Sequence, residues 1–361
     1  MSLGTKARVI AFYLPQFHPI PENDKWWGKG FTEWTNVGKA KKFFKGHYQP
    51  RVPADLGYYD LRVPEVREAQ AQMAKDYGIE GFCYWHYWFG NGKRLLERPF
   101  NEVLELGKPD FPFCLAWANE TWKGFAHGLK NRNILIEQYY PGIKDYEDHF
   151  YALLPAFKDK RYILIDDMPI FVIFKPLVDP EVITFIETWR KLSIENGLKG
   201  IYFVGISPDL EPIENVYATG VDAVNTIRLN NYIVNYRGVQ RKIFDYLNRK
   251  LHLFPTLVSY KKASKYFSIN YIDNQETVFP SIIPGWDHTP RSGFNGIVVN
   301  NSTPQLFQSH VQKVVDLIQK KQPEHKVIFL KSWNEWAEGN YMEPDLKFGY
   351  QFLEALKSVL K

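Results

Sequence analysis

The chain is poor in cysteine. Only Cys83 and Cys114 occur in 361 residues. Their spacing fits neither a zinc site nor a paired redox motif, so both read as buried, reduced thiols. No apolar run reaches the roughly 18 residues that a membrane-spanning helix needs. The first apolar stretch, Val9 to Leu14, is shorter than a signal-peptide core. It leads into Pro15-Gln16-Phe17-His18 where a leader would show a small-residue cleavage site. The chain therefore reads as cytoplasmic, with a removed leader ahead of Met1-Ser2-Leu3 left open. Gly28-Lys29-Gly30 lacks the Gly-rich run and terminal Lys-Ser/Thr of a phosphate loop, and no dinucleotide fingerprint is present. No nucleic-acid motif appears, so nucleic acid is not expected as a partner. His18, His86 and His288 fall on different predicted strands with no ligand spacing. No metal and no cofactor is expected.

Aromatic residues, by contrast, are abundant. They make up 16% of the chain, with 11 Trp and 22 Tyr, within a hydrophobic fraction of 45% that is enough for a large core. Trp and Tyr offer flat apolar faces with a polar handle, and the C–H faces of sugar rings stack on such surfaces. Net charge is +5, with basic residues crowding Arg237 to Lys265. Such a run is ordinarily a solvated face. It also suits an anionic sugar, a lipid-linked substrate or peripheral contact with a membrane. Oligomeric state is not readable from the sequence.

Short apolar runs rich in β-branched and aromatic residues alternate with segments of helical period, the pattern of βα units around a parallel sheet. Eight strands are predicted: Arg8–Leu14, Gly81–Tyr87, Phe113–Ala118, Ile170–Lys175, Ile201–Ile206, Ala223–Arg228, Ser281–Pro284 and Val327–Ser332. Helices are predicted at Pro64–Tyr77, Pro99–Glu105, Asp145–Phe157, Pro180–Asn196, Gln240–Leu251, Leu306–Lys321 and Gly349–Leu360. A count of eight selects a closed (β/α)8 barrel of the TIM type, and the absence of a linker or repeat makes residues 1–361 one catalytic domain. The long connections Pro15–Leu61 and Ala118–Tyr146 would build the active-site face, together with the loops Leu229–Tyr236 and Gly285–Asn300.

Catalytic groups in such a barrel sit at the C-terminal ends of the strands. Strand eight leads into Trp333-Asn334-Glu335-Trp336-Ala337-Glu338. Glu335 and Glu338, three apart, fall on one side if the chain turns helically. Two neighbouring carboxylates push their pKa values apart, leaving one able to carry a proton at neutral pH. Glycosidic cleavage needs such an acid beside an ionised partner. Other strand ends add Tyr13, Gln16 and His18; Trp85, His86 and Tyr87; Trp117, Asn119, Glu120 and Trp122; and Trp286, Asp287 and Arg291. With Trp333, Asn334 and Trp336 these form a candidate pocket for an oligosaccharide or polysaccharide. Each alone has a blander reading as core or loop scaffold. Asn119-Glu120 also leaves open a variant with Glu120 as acid/base and Glu335 as nucleophile.

Four segments carry a resemblance across nearly the whole chain. They are Ala11–His18 with Gly30–Trp34, Gly81–Trp88, Ala116–Trp122 and Trp333–Gly339. They resemble the WbsX-like family of bacterial polysaccharide-locus proteins, whose barrel is similar to glycoside hydrolase family 99, the endo-α-mannosidase and endo-α-mannanase group. The resemblance implies retaining cleavage of α-linked, mannose-like glycans by a Glu-x-x-Glu pair. Glu335 would act as base on the sugar's 2-hydroxyl, and Glu338 as general acid and then base. The family's other label implies a glycosyltransferase or transglycosylase in O-antigen, lipopolysaccharide or capsule assembly. The stretch around Asn119-Glu120 departs from the hydrolases, which puts the identity of the sugar in doubt.

Overall fold

The computed structural model describes residues 5–124, 129, 133–209 and 211–361; Met1-Ser2-Leu3, where a leader was left open, lies outside them. Eight parallel strands close into a barrel: β1 (Arg8–Tyr13), β2 (Gly81–Trp88), β3 (Phe113–Trp117), β4 (Met168–Ile173), β5 (Tyr202–Pro208), β6 (Ala223–Ile227), β7 (Val278–Ile282) and β8 (Val327–Leu330). Each pairs with the next. The ring closes where β1 meets β8, from Arg8↔Val327 to Ala11↔Leu330. Helices Pro64–Asp76, Arg98–Leu106, Ile143–Phe157, Glu181–Glu195, Pro304–Ile318 and Gln351–Leu360 run between and after the strands. The (β/α)8 architecture expected from the alternation is the one observed.

Every strand is shifted at one end or both from the expected bounds, by one to three residues, and one layer was not expected. β7 begins at Val278, three residues before the expected Ser281, because Pro280 sits inside the strand opposite Thr226. β8 ends at Leu330, ahead of Ser332. The expected helix Gln240–Leu251 exists as Val239–Lys250, but its packing partner is strand Thr256–Ser259, outside the barrel. That strand runs parallel to Ile297–Asn300, which pairs antiparallel with Trp286–Asp287. This small side sheet was not expected, since strands of two to four residues give no readable period.

Side-chain alternation along the barrel strands decides what faces the site. On β2, Trp85 turns into the lumen, where it stacks on Phe12 at 4.9 Å. His86 and Trp88 turn outward onto helix Ile143–Phe157, against His149. On β3, Trp117 turns outward against Phe185 at 4.7 Å, its indole N–H bonded to the Trp88 carbonyl. Trp189, fully buried, packs on Phe171, Phe185 and His149 and closes this outer layer. Truncating a side chain of this size in a core costs about 3–5 kcal/mol.

His86 and His149 share a 2.8 Å hydrogen bond between their Nε2 atoms, so one donates and the other accepts. Burial, and then neighbouring cationic charge, pushes both well below the ordinary histidine value. Unfolded, both groups would take up protons below about pH 6.5; folded, they stay neutral. Their contribution to stability is therefore lost as pH falls below that value. Chemical denaturation at pH 7 and pH 5 is expected to show a smaller acid penalty for His149→Gln than for the wild type. An equal penalty would contradict this account.

Candidate active site

β8 is followed by a tight hairpin. Asn334–Glu335 pairs antiparallel with Asn340–Tyr341, and a single 3₁₀ turn, Trp336–Glu338, joins them. Side chains at i and i+3 eclipse in a 3₁₀ turn, which puts Glu335 and Glu338 on the same side, where each shifts the other's pKa. The turn ends at Gly339, with φ +57°. A Cβ there would also come within 2.8 Å of the Asp287 side chain and 2.9 Å of the Arg51 guanidinium. Both the left-handed backbone and the close approach require glycine. Asn334 anchors the hairpin: its side-chain amide accepts from Leu14 N at 2.7 Å and donates to Leu14 O at 3.0 Å.

The two carboxyls differ sharply in surroundings. Glu335 is buried, accepts from the Trp85 indole at 3.2 Å, and lies 3.9 Å from Lys331. Burial pushes it up to about 7, against the pull of Lys331 and with further push from Glu338. Glu338 is also desolvated, yet Arg291 and Glu335 hold it below the ordinary carboxylate value. Arg291 Nη1 donates to Glu338 Oε1 at 2.5 Å, and its Nε donates to Glu33 Oε1 at 3.0 Å. Glu33 opens the short helix Glu33–Gly38, capped by a Thr32/Thr35 box. His288 stands 3.7 Å from Glu338, but burial and Arg291 push it down to about 4. It is neutral at physiological pH and adds no charge. Of the two carboxyls, Glu335 is therefore the one that holds a proton more readily.

Both carboxyls line a cavity of about 310 Å³ at the C-terminal end of the barrel. Of the residues singled out in the sequence, Gln16, Trp85, Tyr87, Glu120, Trp122, Trp286 and Arg291 share that lining. Lys331 bridges floor and wall, its ammonium 5.5 Å over the Trp286 ring. Glu120 is ion-paired with Lys175.

The remaining candidates are held elsewhere. Tyr13 donates to Gln70, and His18 bonds the Pro15 carbonyl. His86 and Trp117 lie in the outer aromatic layer described above. Asn119 ties Tyr140 and both backbone groups of Lys175. Trp336 donates to Glu343 at 2.6 Å and stacks on Tyr341, while Trp333 packs on Phe82. Asp287 is fully buried and accepts from His47, Gln49 and Thr289. It is desolvated, but these donors and Arg51 pull it down to about 2. It braces the loop that carries Arg291 and does not line the cavity.

Sequence reading missed Phe174, Asp209 and Lys331 on the cavity wall, and Glu33 behind Arg291. Asp209 is the most informative of these. It has φ +44° and accepts from Asn230 through both carboxylate oxygens. Burial raises its pKa. Non-glycine residues at positive φ are uncommon and cluster at functional sites. Among the described residues no group of three His, Cys, Asp or Glu is arranged to hold a metal ion, and no helix is long and apolar enough to cross a membrane.

Compared with known protein families, the chain matches the one described as "Glycosyltransferase WbsX" over residues 9–356. The chain belongs to the WbsX family. This makes it a member of a family of carbohydrate-active enzymes. It is 35% identical over 366 residues to "Uncharacterized protein WxcX" of Xanthomonas campestris pv. campestris strain B100, covering 98% of this chain and 50% of that protein. A second strain's WxcX is 34% identical over 360 residues, again 98% of this chain and 50% of that protein. The chain therefore spans about half the length of these curated relatives. Among solved structures, a "Glycoside hydrolase-like protein" superposes with TM-score 0.62 at 16% identity, over 100% of this chain and 96% of that one. The GH99 endo-alpha-mannosidase of Bacteroides thetaiotaomicron superposes with TM-score 0.55 at 15% identity, over 98% and 95% of the two chains. At these identities the likeness concerns the fold.

Proposed function

We propose that this WbsX-family barrel is a retaining glycoside hydrolase of α-linked, mannose-like glycans, with Glu335 and Glu338 working as one singly protonated pair. The observation that carries this reading is the placement of both carboxyls at one 3₁₀ turn on the cavity wall, Glu335 buried against the Trp85 indole and Glu338 ion-paired with Arg291 at 2.5 Å. Two carboxyls stacked on one tight turn approach a sugar from the same side, where straddling an anomeric carbon takes about 5–5.5 Å between nucleophile and acid and more for inversion. Such a pair suits action on two adjacent oxygens of one sugar. The protonated member gives its proton to the glycosidic oxygen as the C1–O bond breaks. The ionised member takes the proton of the 2-hydroxyl, whose oxygen closes on C1 to form a 1,2-anhydro sugar. Water then opens that ring by the reverse proton transfers, and two inversions give retention. Arg291 on Glu338 favours Glu335 as the acid and Glu338 as the base. That distribution reverses the one implied by family resemblance.

The second reading, a glycosyltransferase or transglycosylase of polysaccharide assembly, is favoured by the family's own description. There an acceptor hydroxyl takes the place of water at the same pair. Incubation with a panel of α-mannans and sugar nucleotides in H₂¹⁸O, with mass spectrometry of the products, separates the two. Hydrolysis predicts glycan cleavage with ¹⁸O at the new reducing end. Transfer from a sugar nucleotide without ¹⁸O uptake would overturn the hydrolase reading.

Trp286 is partly exposed at the cavity wall, with its ring flanked by His288 and Lys331. A sugar stacked on that face gains on the order of 1 kcal/mol, so Trp286→Ala is expected to raise KM for glycan about five- to tenfold while kcat changes less. An unchanged KM would remove Trp286 from the binding surface.

A further inference from the structure

We propose that the helix Val239–Lys250 and its flanks form a docking surface for a bilayer rich in anionic phospholipid. The helix is amphipathic in the inverted sense. Its buried residues are Asp245 and Asn248, while Val239, Ile243, Tyr246, Leu247 and Leu251 are 48–71% exposed. Positions 239, 243, 246, 247 and 251 share one arc of a helix, so the apolar stripe points away from the protein. Leu253 and Phe254, just beyond the helix, extend it and are also exposed. An apolar stripe this large facing water marks a surface that is covered in use.

Charge decides what covers it. Residues 237–265 hold eight Lys and Arg against the single acid Asp245, a net +7 in a chain whose total is +5. Asp245 is itself held by Arg237 at 2.8 Å and Arg241 at 3.7 Å, so the segment's one acid is already engaged on the buried side of the helix. Lys250 falls within the apolar arc and Lys242 at its edge, where long side chains can reach headgroups while their stems lie against acyl chains. Dry protein interfaces are depleted in lysine at their centre. Apolar residues interleaved with basic ones on one helix face are the pattern of interfacial membrane helices. The segment leaves the barrel right after Leu229 and Asn230, which line the catalytic cavity. A docked helix therefore brings the cavity's end of the barrel to the lipid surface, where a membrane-anchored saccharide would be met.

The test is co-sedimentation of the full chain with vesicles of phosphatidylcholine alone or with about a quarter phosphatidylglycerol. Wild type is expected to bind the anionic vesicles and to leave the neutral ones largely free. Ile243→Asp/Leu247→Asp and, separately, Arg249→Glu/Lys250→Glu should each weaken binding about tenfold or more, with circular dichroism confirming that both fold. Absence of wild-type binding, or binding that both variants retain, overturns the proposal. So does light scattering that shows a stable dimer dissolved by Ile243→Asp/Leu247→Asp, which would assign the stripe to a second copy. None of these readouts depends on catalysis.

Discussion

Glu335→Gln is expected to cut turnover of an unactivated glycan by about 10²–10⁴-fold, the usual worth of a general acid. An aryl glycoside with a good leaving group needs little protonation and should recover most of that loss. Glu338→Gln should be equally damaging on both substrates, because the base is needed whatever the leaving group. Glu120→Gln should stay within a few-fold of wild type, since that carboxylate is held by Lys175 on the cavity wall. If instead the good leaving group rescues Glu338→Gln and not Glu335→Gln, the roles are those implied by family resemblance, and the proton must pass from Glu335 to Glu338 when substrate binds. If Glu120→Gln is as inert as Glu335→Gln, the pair is not the catalytic unit. Stability gives an independent readout. The folded value of Glu335, about 7, lies above the ordinary 4.5. Stability contributed by its protonated form is thus present below pH 4.5 and lost between 4.5 and about 7. Above pH 7 the buried carboxylate costs up to about 3 kcal/mol, a cost the neutral amide of Glu335→Gln does not bear. The inactive variant should therefore melt higher than wild type at pH 8, with the gap closing toward pH 4.5.

Arg291→Met should disable the site from the other side. Arg291 is the cation shared by Glu33 and Glu338, all three nearly buried. Removing one partner of a buried ion pair costs about 3–5 kcal/mol because the other charge is left uncompensated. The loss should appear as a lower denaturant midpoint at pH 7. Activity should show its own signature. In wild type, Glu338 is held below the ordinary carboxylate value, so the acid limb of kcat/KM lies low, while the limb near pH 7 belongs to Glu335. Without Arg291 the acid limb moves upward and the plateau narrows from below. Arg291→Lys should not restore it, since one ammonium cannot span two carboxylates as a guanidinium does. An acid limb that stays in place in Arg291→Met would show that the ion pair does not set the charge of Glu338.

The barrel was legible because its signal is repeated: eight apolar runs separated by helical segments leave little choice of architecture. The carboxyl pair was legible because its spacing is local, so one turn of chain brings the two groups together. What failed was parity. Strand ends were read as blocks, yet consecutive residues face opposite ways. Trp85 therefore lines the cavity while His86 turns to His149, and Ala118 rather than Trp117 reaches the lumen. Small residues beside large ones on β3 were the available hint. Asp287 and Glu33 failed for a different reason. One looked like a sugar ligand and braces a loop through His47 and Gln49, and the other looked like part of a loop motif and holds the arginine. Both outcomes depend on partners more than 200 positions away, which no local pattern encodes.

The seam between β1 and β8, where the Asn334 amide grips both backbone groups of Leu14 across 320 positions, has a consequence for the order of folding. Contacts of such long range are the slowest to form. Glu335 also needs Trp85 from β2, and Glu338 needs the arginine that Glu33 holds. A chain with every barrel strand but the last has the aromatic walls and lacks both carboxyls of the proposed catalytic pair. Competence thus arrives with the closing strand, and partly folded chains are expected to be inert.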